Sequence, residues 1–170
     1  MRHTFRSLTA AVAVAAAALT GGVLSAAPAS AAPSAPAPKP VPRFSPDGEA
    51  MGVVGDHDFC RGVAYVDFSS PKRAVTRVTI TSRGFTGNGP GWVKNPHCKV
   101  DFGFGYYSAI ALGKTVNLSA SFGPRPGEKV TRDIVTGSGL VLASVVPTPA
   151  TGPVRLLAGF PVLSSYLVVP

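Results

Sequence analysis

Acidic side chains are scarce in this chain of 170 residues: 8 Asp and Glu stand against 16 Lys and Arg, for a formal net charge of +8. Cysteine is scarcer, with only Cys60 and Cys98, and tryptophan occurs once, at Trp92. Each shortage excludes something. Two Glu and six Asp, mostly beside turns or basic residues, leave little material for the carboxylate pair of a glycoside hydrolase. Ser138, in Gly137-Ser138-Gly139, lacks the Gly-x-Ser-x-Gly frame and the strand-to-helix switch of a nucleophile elbow. Gly87-Asn88-Gly89-Pro90-Gly91 lacks the Lys and the following helix of a phosphate loop, so it reads as a wide turn. No stretch of ten or more residues beyond the N-terminal segment has a helical apolar period, and no cofactor motif is present.

The N-terminus is better supplied. Arg2 and Arg6 precede an uncharged, Ala-rich apolar run, Leu8 to Ala27, and Ala29-Ser30-Ala31 is a small-x-small cleavage site. This is the pattern of a secretory signal peptide, residues 1–31, and its alanine-heavy style suits a bacterium of high genomic GC. Residues 32–46 follow as a Pro/Ala-rich linker, expected to be disordered or extended, with a reach of roughly 45 Å. Residues 47–170 suit a single domain. Val154 to Pro170 is apolar but short and interrupted by Pro161, Ser164 and Ser165, which favours terminal strands over a membrane span.

Period-2 alternation dominates this domain. Cys60, Gly62, Ala64, Val66 and Phe68 fall on one face of Phe59 to Phe68. Val78 and Ile80 do so within Ala74 to Ser82, Cys98, Val100, Phe102, Phe104 and Tyr106 within Cys98 to Tyr106, and Val116, Leu118, Ala120 and Phe122 within Lys114 to Phe122. Tyr107 to Leu112, Lys129 to Val135, Leu140 to Val146 and the segment within Val154 to Val169 add further strands. Gly, Pro, Asn and Ser clusters separate them. The expectation is an all-β fold: an antiparallel β-sandwich, immunoglobulin-like in style, of about 7–8 short strands, with a barrel as the alternative. Trp92 lies in a loop six residues before Cys98, so the Cys…Trp…Cys order assigns no family, and the strand topology stays open.

Both cysteines lie on apolar strand faces of an exported chain, which predicts a structural Cys60–Cys98 disulfide. Closing a loop of about 39 residues stabilises by about 4 kcal/mol in the chain-entropy picture. The same placement argues against either cysteine as a nucleophile beside His57 or His97. Phe102, Phe104 and Tyr106 share the Cys98 face, so they are expected in the core and not as a base-stacking platform.

Two polar groups remain. His57 and His97, with Asp56 and Asp58, form the one set that suggests a divalent metal, although the spacing fits no established ligand pattern; metal-free is the reading adopted. The loop Gly84 to Asn95 carries Arg83, Phe85, Trp92 and Lys94 in or beside it, a candidate binding loop of cations and aromatics.

Without Arg2 and Arg6, 14 basic and 8 acidic side chains remain, about +6. A basic exported domain is expected near anionic surfaces. Together these features imply a non-catalytic binding or structural module, secreted or held at the cell envelope, whose partner is a protein, a glycan or an anionic envelope polymer; export argues against nucleic acid. The alternatives are a small secreted hydrolase or metal-dependent enzyme using His57 and His97, favoured by their convergence with an Asp at an open cleft, and a carrier of an apolar ligand, favoured by a cavity lined by Phe102, Phe104 and Phe122.

Overall fold

In the computed structural model, which describes residues 37–148 and 162–170, alternation becomes two antiparallel five-stranded sheets. The strands are β1 (Lys39–Pro40), β2 (Arg43–Phe44), β3 (Ala50–Val54), β4 (Arg61–Ser70), β5 (Val75–Thr86), β6 (Cys98–Ser108), β7 (Ala111–Phe122), β8 (Lys129–Val135), β9 (Gly139–Thr148) and β10 (Leu163–Val169). A five-residue helix, α1 (Pro90–Lys94), interrupts the β5–β6 connection. One sheet runs β1-β4-β5-β8, with β3 also pairing β4; the other runs β2-β10-β9-β6-β7. The segment expected to be a signal peptide, residues 1–31, lies outside the described residues, as do residues 32–36 and 149–161. No helix among the described residues is long and apolar enough to cross a membrane.

The faces expected to be apolar are the buried ones. Ala64, Val66, Phe68, Val78 and Ile80 of the first sheet join Val100, Phe102, Phe104, Leu118 and Phe122 of the second in one buried cluster. Aromatic pairs connect the sheets: Phe68 meets Phe104 with ring centroids 6.3 Å apart, and Phe85 stacks on Phe122 at 5.3 Å. Phe102 meets Phe122 edge-on at 6.4 Å, and all three of Phe102, Phe104 and Phe122 are fully buried.

Several elements depart from the sequence expectations. Lys39–Pro40 and Arg43–Phe44, within the stretch read as a linker, pair with β4 and β10 respectively, and Val41 between them is buried. Two-residue pairings at sheet edges tolerate prolines that a central strand would reject. Arg43 then bridges the sheets by ion pairs to Glu49 and Asp67. Tyr107 to Leu112 is not a separate strand: β6 turns into β7 at Ala109–Ile110, leaving Ile110 and Leu112 exposed.

Candidate functional site

The disulfide anchors the end of the molecule where every sequence-flagged polar residue gathers. Cys60 and Cys98 are bonded, with Cα atoms 5.8 Å apart, and both are fully buried. Gly55 closes over the bond: a Cβ there would stand 2.2 Å from the Cys98 Sγ and 2.8 Å from the Lys99 carbonyl. Only glycine lets the chain pass so near. The Gly55 N–H donates to the Cys60 carbonyl at 2.8 Å, and the Cys60 N–H to the His57 carbonyl at 2.8 Å. The loop between them is tight enough that Asp58 and Phe59 take left-handed backbone conformations, φ 47° and 51°. Such conformations cost non-glycine residues energy, which these hydrogen bonds offset.

Asp56 and Asp58 are both committed inside this loop. The Asp56 carboxylate accepts the Lys99 N–H at 2.9 Å and meets the His57 Nδ1 at 2.8 Å. Its hydrogen bond to Asp56 raises the His57 pKa. Burial pushes the Asp56 carboxyl upward, but the hydrogen bonds from His57 and the Lys99 N–H outweigh it, and the group sits below its ordinary value. The Asp58 carboxylate accepts the Trp92 N–H in the first turn of α1, supplying negative charge where that turn leaves its N–H groups unpaired. Gly89 and Gly91 give it room: a Cβ at either would stand 2.5–2.6 Å from the Asp58 carboxyl group.

This arrangement is poor ground for metal or acid–base chemistry. Asp56, His57 and the Cys60 sulfur gather within 4.8 Å of one another, but that sulfur is in the disulfide and offers no thiolate. Asp58 is turned to the helix. His97 is exposed and stands beside Gly123, whose added Cβ would lie 3.4 Å from its Nε2.

Trp92 is half-buried and packs on the core, with its ring close over Gly87 and 6.4 Å from the His57 ring. Lys94 is exposed in the last turn of α1. Phe85 corrects the expectation of a binding-loop aromatic: it is 3 % exposed and stacked on Phe122. The cause is a bulge. Gly62 pairs with Phe85 but Ala64 pairs with Ser82, so β5 has one more residue than β4 across this interval. Gly84, at φ +95°, absorbs the extra residue, and its N–H donates to the Ser82 hydroxyl at 2.9 Å. The strand, expected to end at Ser82, therefore runs on to Thr86 with Phe85 inward and Arg83 outward.

On the outer face of β3, β4 and β5, the bulge borders an open groove of about 430 Å³ lined by Gly52, Val54, Arg61, Val63, Arg83 and Thr86. Arg83 lies over the Tyr65 ring at 4.6 Å, and Arg61 over the exposed Phe59 ring at 5.2 Å. Each guanidinium is thereby supported on an aromatic face. Arg61 also makes a long hydrogen bond, 3.4 Å, to the Phe59 carbonyl. Of these residues only Arg83 stood out in the sequence. The rest come from three strands whose pairing register no local pattern reveals; the one available signal was Gly84, a glycine inside a strand pattern.

No family model matches the chain, and no similar curated protein or solved structure was found.

The distribution of charge partners separates this groove from its surroundings. All eight carboxylates of the chain accept hydrogen bonds from within it. Asp67 and Glu49 take Arg43, Asp133 takes Arg77, Asp101 takes Ser119, and Asp47 and Glu128 take backbone N–H groups. Among the described Lys and Arg side chains, by contrast, only Arg43 and Arg77 make ion pairs. Arg61 and Arg83 have no carboxylate partner among the described residues.

Proposed function

We propose that the chain is an exported basic β-domain acting as a non-catalytic binding module in or near a bacterial cell envelope, where it holds an anionic partner. One observation carries this reading: every carboxylate accepts an internal hydrogen bond, while among the described Lys and Arg side chains only Arg43 and Arg77 are paired with an acid. The positive surplus is thus presented outward, where it attracts and steers negatively charged partners. The packing of the two sheets is taken as a β-sandwich, immunoglobulin-like in style only. A disulfide suits an oxidising compartment outside the cytoplasm. The mutual packing of Phe102, Phe104 and Phe122 speaks against a carrier, and the commitment of Asp58 to α1 against a hydrolytic site at His57.

The test is retention. Chain beginning at residue 32 is mixed with washed envelope fractions and sedimented across a salt series. Retention at low salt that is lost by about 0.5 M salt is expected, because surface charge interactions are screened within a few ångströms there. Failure to sediment at low salt overturns the reading.

A further inference from the structure

Resting on that reading, we infer that the groove between Arg61 and Arg83, together with the free edge of β3, docks an extended acidic peptide segment of another protein. Three features point to this occupant. Arg61 and Arg83 are planar forks held on aromatic faces, and a guanidinium fork matches a carboxylate with two parallel hydrogen bonds. The other groove-lining side chains include Val54 and Val63, with Gly52 beside them, which accept an apolar side chain between two acids better than a phosphate or sugar unit. β3 pairs only with β4, so among the described residues its other edge has no strand partner. A peptide backbone can pair with such an edge, whereas a polysaccharide or a phosphate polymer cannot.

The chain supplies no such segment itself. Residues 1–36 and 149–161 contain no Asp or Glu. Each of the eight carboxylates of a second copy already accepts a hydrogen bond within that copy, and all eight lie in its folded strands and tight connections, not on a free extended segment. The complementary charge therefore belongs to a different molecule.

The probe is a fluorescent peptide of Glu-Ser-Val-Ser repeats, which as an extended strand presents acids and valines in alternation on one face. Its binding to the chain from residue 32 is measured by anisotropy, with a Gln-Ser-Val-Ser repeat, polyphosphate and a polyuronate alongside. The acidic peptide is expected to bind, and the Gln-substituted peptide not to. Arg61→Gln with Arg83→Gln is expected to weaken binding at least about tenfold, the scale of losing two charge-assisted contacts. Lys114→Gln with Lys129→Gln removes the same charge elsewhere and should change it less than about threefold. Amide exchange at Gly52 and Val54 should slow on binding.

No binding of the acidic peptide overturns the inference. So does an equal loss in both double variants, which would mean diffuse charge alone. Binding without slowed exchange in β3, or preference for polyphosphate or the polyuronate, overturns the peptide as occupant. If envelope retention survives in the Arg61→Gln/Arg83→Gln variant, the groove fails while the binding-module reading stands; if retention never occurs, that reading fails first.

Discussion

Two neighbouring regions meet at Arg61 and use polar residues in opposite ways. The loop from Gly55 to Cys60 commits both of its acids internally, Asp56 to Lys99 and His57 and Asp58 to Trp92, and closes on itself through the Gly55 and Cys60 N–H groups, leaving the His57 Nε2 as its only buried side-chain nitrogen or oxygen without a partner. The groove a few residues on leaves two guanidinium groups without an acid. A polar cluster that satisfies itself is part of the scaffold, however catalytic its residue types look. A cation stacked on an aromatic ring, aimed outward and unpaired, is held ready for something else.

Breaking the disulfide separates them least. Cys60→Ala with Cys98→Ala should cost about 4 kcal/mol in chemical denaturation and lower both loop order and groove affinity. Asp58→Ala is sharper. It strips α1 of its charged acceptor and should cost about 1–3 kcal/mol, with increased solvent exposure of Trp92 read by fluorescence. Unchanged stability would remove Asp58 from the scaffold class.

His57 gives a smaller, pH-dependent effect. Its pKa is raised by Asp56, so its share of stability is full below its unfolded value of 6.5 and fades as pH rises through the folded value. Asp56, lowered in the fold, contributes above 3.8 and loses its share as pH falls through its folded value. The stability gap between wild type and His57→Gln should therefore be widest between these reference values and narrow toward alkaline pH. A gap independent of pH would mean that packing beside Trp92, not charge, is what His57 supplies. Smallest of all should be the stability change in Arg61→Gln/Arg83→Gln, within about 0.5 kcal/mol, since no internal acid is orphaned. A loss well above that would place these arginines in the scaffold and erase the contrast.

Much of the architecture could be read from residue order. Lys129–Val135 forms β8 at the bounds expected, and the inward faces of β4, β6 and β7 follow period 2 because each lies against one core. Cys60 and Cys98 shared those faces, and the bond follows. The edges could not be read. β1 and β2 are too short to show a period and sit among prolines, and β3, with Gly52 at its centre, carries only Met51 and Val53 as its buried pair. Trp92 resisted for a different reason: its setting depends on Asp58, 34 residues away. The groove is less legible still, since Val54, Arg61 and Arg83 become neighbours only through pairing register.

The bulge at Gly84 has a consequence for chain length. A strand records which face a residue takes as odd or even, and one supernumerary residue inverts the record for everything beyond it. Plain alternation from Ser82 through Gly84 would turn Phe85 toward solvent; the bulge returns it to the core, and deleting Gly84 would leave it there, with Arg83 opposite Val63 and Phe85 still opposite Gly62. A substitution at Gly84 meets two obstacles, the positive φ and the Pro124 carbonyl, which would lie 2.6 Å from a new Cβ. The core and the groove at this end of the sheet are two readings of the same odd count.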